Sequence, residues 1–207
     1  MPSFDHEILV QLFRNAPRLA TELLRICTRT TLDAATAHLG SIDLSQIAPT
    51  AYHADVVVLL RDDPGRIVTG IIIEVQLQID RNKLRSWPAY VANLRSDHNC
   101  PAILLVIAPD PRVATWAKQS IDLGHPGFQL TPIVLSYDDI PYIYDRKTAS
   151  DLPEISMLST LAHRERDLGE VALKAIRSVR PPFRKLYLEA LQTVFGRRTP
   201  RRPWRIR

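Results

Sequence analysis

Two runs rich in Val and Ile, residues 54–60 and 67–77, stand on either side of Asp62-Asp63-Pro64-Gly65, and no other feature limits the fold as much. β-branched side chains suit a pleated surface and Pro-Gly suits the centre of a turn, so the segment is predicted to be a β-hairpin. Helical spacing precedes it. Ser3 is placed to cap a helix carrying Phe4, Ile8, Leu9, Leu12 and Phe13, and Pro17 opens a second with Leu19, Leu23, Leu24 and Cys27; residues 28–52 read mostly as loop. After the hairpin, Ser86 is expected to cap a helix with Trp87, Val91 and Leu94 as its buried seam. A strand follows at 102–108, then a short helix from Asp110-Pro111 to Lys118, a turn at Gly124 to Gly127, and a strand over 128–135. From Leu152 onward the periodicity is helical, with breaks near Arg164 and Pro181-Pro182. The expected class is α/β.

The chain of 207 residues is long enough for one compact domain with a real core. We expect an α/β core over residues 1–150, helices over 151–196 packed on or beside it, and a basic flexible tail over 197–207. The formal charge of +5 suggests a nucleic-acid binder, yet the tail alone holds six of the 27 basic residues and none of the acids, leaving the rest close to neutral. Arg197, Arg198, Arg201 and Arg202 are therefore the nucleic-acid-binding candidates of the tail, and a plain flexible end fits the same residues. Cys27 and Cys100 are far apart and show no zinc-site or disulfide spacing. Asp5 and Glu7 stand where a secretory leader would carry Lys or Arg, and no apolar run nears the roughly 20 residues of a membrane span. A cytoplasmic location without a membrane partner is expected.

Within the hairpin, Glu74, Gln76 and Gln78 share one strand face with Ile72, because side chains alternate along a strand. A turn with Asp63 opposite Arg66 sets a register in which Asp55 faces Glu74, with Cβ atoms about 5 Å apart. Two carboxylates that close either raise one pKa or hold a divalent cation between them, and Mg²⁺ accepts such oxygen donors. A one-residue slip would send Glu74 to the other face relative to Asp55. The same spacing also fits a structural arrangement in which Asp55 caps the strand end and Glu74 pairs with Lys83 or Arg85.

The ordered set His6-Glu7, Ala54-Asp55, Glu74-Val75-Gln76, Lys83, Trp87-Pro88, Tyr90, Cys100-Pro101, Gly124-His-Pro-Gly127 and Leu158-Ser-Thr-Leu-Ala-His163 resembles the PD-(D/E)XK nuclease superfamily, and within it the recombination-promoting nucleases. The resemblance implies a restriction-endonuclease-like α/β core with a mixed central sheet flanked by helices, plus a C-terminal helical segment. It implies that Asp55, Glu74 and the main-chain carbonyl of Val75 bind Mg²⁺, with Mn²⁺ as an alternative, and that Glu7 supports the site. Gln76 stands where the superfamily usually has lysine; a neutral amide orients water but does not neutralise charge on a phosphorane. Lys83 is the candidate for a relocated cation, Arg85 the second, and Tyr90 a supporting residue.

The activity implied is metal-assisted hydrolysis of phosphodiester bonds, with DNA as the partner and a link to recombination or mobile elements. RNA as substrate and a homodimeric assembly stay open. The competing reading is a nuclease-fold protein with little or no turnover that binds nucleic acid or a partner, since fold does not imply function.

Overall fold

The structure, a computed structural model, is described for residues 54–62 and 65–196. The helices expected around residues 4–13 and 17–27, Glu7, and the tail arginines Arg197, Arg198, Arg201 and Arg202 lie outside the described residues, as do Asp63 and Pro64 at the hairpin tip.

A four-stranded mixed sheet organises the first part of the described chain. Its strands are β1 (Val56–Arg61), β2 (Ile67–Val75), β3 (Ala102–Ile107) and β6 (Ile133–Leu135), in that spatial order. β1 and β2 are antiparallel, whereas β2, β3 and β6 run parallel. Val56 stands opposite Ile73 and Leu60 opposite Thr69, the register expected from the sequence. The turn that produces it is different. The Asp62 N–H donates to the Arg66 carbonyl at 3.0 Å and the Arg66 N–H to Asp62 Oδ1 at 2.8 Å, so Asp62 and Arg66 close the tip. Arg61 then faces Ile67, and the extra residue Val68 forms a bulge that restores the expected pairing beyond it. Gly65 turns the chain at φ 103°, a region other residues rarely adopt.

A crossover helix, α1 (Lys83–His98), joins β2 to the parallel β3. It begins before the expected cap, Ser86, which lies inside its first turn. Asp80 seeds this earlier start: its Oδ1 accepts from the Asn82 N–H at 3.0 Å, and its carbonyl from the Lys83 N–H at 3.1 Å. Asn99 ends α1 in the left-handed conformation that asparagine tolerates.

α1 packs on the sheet face that carries Gly70, Ile72 and Glu74. A Cβ on Gly70 would sit 2.6 Å from the Leu94 side chain, so a larger residue there would force Leu94 to shift. Leu104, Val106 and Val134 extend the buried face, and Trp87 is wholly buried against it. Trp116 of α2 (Pro111–Ala117) packs on Trp87 with ring centroids 5.6 Å apart. Asp110 caps α2 through the Arg112 N–H at 2.8 Å, as its position before Pro111 suggests. The opposite sheet face is apolar yet half-open, with Val56, Val58 and Ile103 exposed.

The strand expected over 128–135 is two strands. β5 (Gln129–Leu130) pairs with β4 (Ile121–Asp122) in a separate small sheet, and β6 joins the main one. Pro132 lies between them and has no N–H to continue a ladder.

Four helices complete the described chain: α3 (Arg146–Asp151), α4 (Pro153–His163), α5 (Arg166–Ala175) and α6 (Pro181–Gly196). Breaks fall at Arg164, in the left-handed conformation, and before Pro181, where the sequence places them. α3 was not expected; Asp145 caps it by accepting from the Thr148 N–H at 2.7 Å. Met157, Ala172, Ile176, Val179 and Leu191 form a core among α4, α5, α6 and the residues that link them. Ser159 ties the preceding loop to α4 by accepting from the Ile143 N–H at 3.0 Å. No helix among the described residues is long and apolar enough to cross a membrane.

Candidate functional site

Glu74 is the acid that the fold buries. It lies near the end of β2 on the face covered by α1, and it is 1% exposed. Burying a carboxylate is costly unless cations or donors answer it. Lys83 answers first, its Nζ pairing with Glu74 Oε2. The Trp87 Nε1–H reaches the same oxygen at 3.3 Å. Lys83 and Trp87 are four residues apart on α1 and so share a helix face. Glu74 Oε1 is buried with no hydrogen-bond partner among the described residues.

Continuing the hairpin register one step beyond the Val56–Ile73 pair sets Asp55 opposite Glu74. The Val75 N–H donates to Asp55 Oδ2 at 2.7 Å and fixes the orientation of this exposed carboxylate. Each acid thus has one oxygen committed to the protein and one without a hydrogen bond among the described residues. Val75, expected to offer its carbonyl, is seen giving its N–H. Comparison with protein families, curated proteins and solved structures finds no match.

Lys83 is 22% exposed. Burial pulls its pKa down, but the hydrogen bond and charge of Glu74, with smaller contributions from Tyr90 and Asp55, outweigh it, so the net displacement is upward. The ammonium stays protonated across the neutral range. It also lies 5.8 Å from the centroid of the Tyr90 ring, within cation–π range.

Gln76 is buried and donates from Nε2 to the Gln78 carbonyl at 2.5 Å, holding the chain as it leaves β2. Arg85 is exposed and makes no side-chain interaction among the described residues. Of the two cations considered, Lys83 is the one brought to the acids. The role of Trp87 as a donor to Glu74 was missed; its signal was the four-residue spacing from Lys83.

Mg²⁺ can be bound through only one or two carboxylates, with water and substrate phosphate completing its shell; among the described residues Asp55 Oδ1 and Glu74 Oε1 are the two carboxylate oxygens of this site without a hydrogen bond. Among the described residues no group of three or more His, Cys, Asp or Glu is clustered for a metal, so protein ligands alone would not complete a six-coordinate shell there.

Proposed function

We propose that the chain is a divalent-metal-dependent phosphodiesterase acting on DNA, built on a PD-(D/E)XK-like core. The observation that carries this reading is Glu74 Oε1: a buried carboxylate oxygen without a hydrogen bond among the described residues, on a residue that the continued hairpin register sets opposite Asp55. Such an atom is costly to maintain in a purely structural role. Asp55 and Glu74 would hold Mg²⁺ or Mn²⁺. A bound ion supplies a Lewis acid for a phosphate oxygen and makes water a better nucleophile at neutral pH.

The side chains supply the rest. Lys83 fixes Glu74 and keeps a positive charge where negative charge gathers on the phosphate, the part that neutral Gln76 is unable to play. The Val75 N–H holds Asp55 in one orientation, so little reorganisation is needed when substrate arrives. Trp87 walls the inner side of Glu74 against water.

Supercoiled plasmid incubated with the purified chain and Mg²⁺ or Mn²⁺ tests the reading. Metal-dependent nicking is expected, falling on the order of 100-fold or more in Asp55→Ala and in Glu74→Ala. Structured RNA in the same assay separates DNA from RNA as substrate. The Lys83–Glu74 ion pair favours a second reading, in which the acids are structural and the protein binds nucleic acid without cutting it. Retained binding with no nicking in either metal would establish that reading instead.

A further inference from the structure

A cavity of roughly 330 Å³ opens between the hairpin and α1, lined by Ala54, Val57, Ile72, Tyr90, Asn93, Leu94 and Asp97. This volume is at the lower end of the range for small-molecule sites, roughly 300–1,000 Å³. Its floor is apolar, made by buried Ile72 and Leu94. Tyr90 contributes an aromatic wall. Asn93 and Asp97 stand at the exposed rim, and neither side chain has a hydrogen bond or ion pair among the described residues. Asp97 also lies at the C-terminal end of α1, where the helix dipole disfavours an acid.

The cavity adjoins the acidic site. Ala54 precedes Asp55, Ile72 is two residues from Glu74 on the same strand face, roughly 7 Å away, and Tyr90 faces Lys83. A phosphate beside Lys83, bridged to Asp55 and Glu74 by a divalent ion, would lie next to this cavity.

We infer that this cavity binds the base of an unpaired nucleotide beside the scissile phosphate, and that it selects guanine. The inference rests on the nuclease reading for its account of the neighbouring phosphate. An apolar floor and an aromatic wall suit the faces of a base, and a cleft between strand and helix admits a base only once it has left the duplex stack. Guanine presents adjacent N1–H and N2–H donors to the Asp97 carboxylate, while its O6 accepts from the Asn93 amide. Adenine and cytosine each set a ring-nitrogen lone pair beside their single amino donor, and thymine offers only its N3–H, so none of them gives the carboxylate two adjacent donors.

The test uses the full chain with Ca²⁺, an oxygen-seeking ion able to bridge the carboxylates and the phosphate, and gel analysis of each sample confirms that the DNA stays intact. Four fluorescein-labelled nine-nucleotide single-stranded DNAs, all thymidine except for dG, dA, dC or dT at the centre, are compared by anisotropy. The dG oligonucleotide is expected to bind about tenfold more tightly than the all-thymidine one. Asp97→Asn, on the exposed end of α1, is expected to abolish that ratio even if the loss of negative charge strengthens every complex. Val57→Trp, at the exposed mouth on the edge strand, is expected to bring dG binding down to the thymidine level. Equal affinities for the four DNAs, no binding at all, or a guanine preference that survives both substitutions would overturn the inference. Metal-dependent cleavage with equal affinities would refute the base site and leave the nuclease reading standing. Guanine-selective binding without cleavage in metal would refute the nuclease reading and leave the base site standing.

Discussion

At Lys83 and Glu74 two opposite charges share a site that excludes water from one of them almost completely. The pair's mutual attraction offsets the desolvation of Glu74 only while both partners are present. Lys83→Met is therefore expected to cost about 2 kcal/mol, below the roughly 3–5 kcal/mol for breaking a fully buried pair, because Lys83 keeps some contact with solvent. The double variant Glu74→Gln/Lys83→Met is expected to recover most of that loss, and urea unfolding of the wild type, both single variants and the double variant measures the coupling. The pH dependence has a fixed sign. Since the folded-state pKa of Lys83 lies above the ordinary lysine value of 10.5, its contribution is fully present below that value and is lost as pH rises through the folded pKa. Sequence spacing could align Asp55 with Glu74 and name Lys83 as a partner. It gave no sign that Lys83 and Trp87 would converge on one oxygen of Glu74 and leave the other without a partner, since that depends on where α1 begins.

Among the elements, α1 determines the site. Its start at Lys83 follows from the turn built by Asp80, and its close approach to β2 follows from Gly70. Gly70→Ala would drive a methyl group into Leu94 and is expected to lower stability by about 1–3 kcal/mol, as overpacking does; calorimetric unfolding beside the wild type would show it. The expectation of a helix starting after Ser86 failed because a local Asp80 turn outweighed a good capping residue six positions later. The hairpin register was legible even though the turn was not: a tip closed by Asp62 and Arg66 instead of Asp63 and Arg66, with the extra residue Val68, still leaves Val56 opposite Ile73. At α3, which the proline-spaced sequence concealed, the Asp145 carboxylate is held below the usual range by hydrogen bonds from the Thr148 backbone and side chain. Its contribution is present above the unfolded pKa and disappears as pH falls through the lowered folded value. Carbon-13 NMR titration of the aspartate carboxyls is expected to place Asp145 below the ordinary aspartate midpoint of 3.8 in wild type, and closer to it in Thr148→Ala.

At the scale of the molecule, the sequence disclosed an α/β chain with helices toward its end because strand-like runs and helical periodicity alternate clearly. The division of residues 128–135 between two sheets was not legible, since periodicity records that a segment is apolar and not which neighbour it joins. The central functional claim is that Asp55 and Glu74 share one divalent ion. Titrating Mn²⁺ into the full chain with a single-stranded DNA oligonucleotide present, and reading free Mn²⁺ by electron paramagnetic resonance, tests it directly. One ion bound per chain, lost in both Asp55→Asn and Glu74→Gln, is the expected result. Mn²⁺ uptake by the wild type no greater than that of the two variants would contradict the claim.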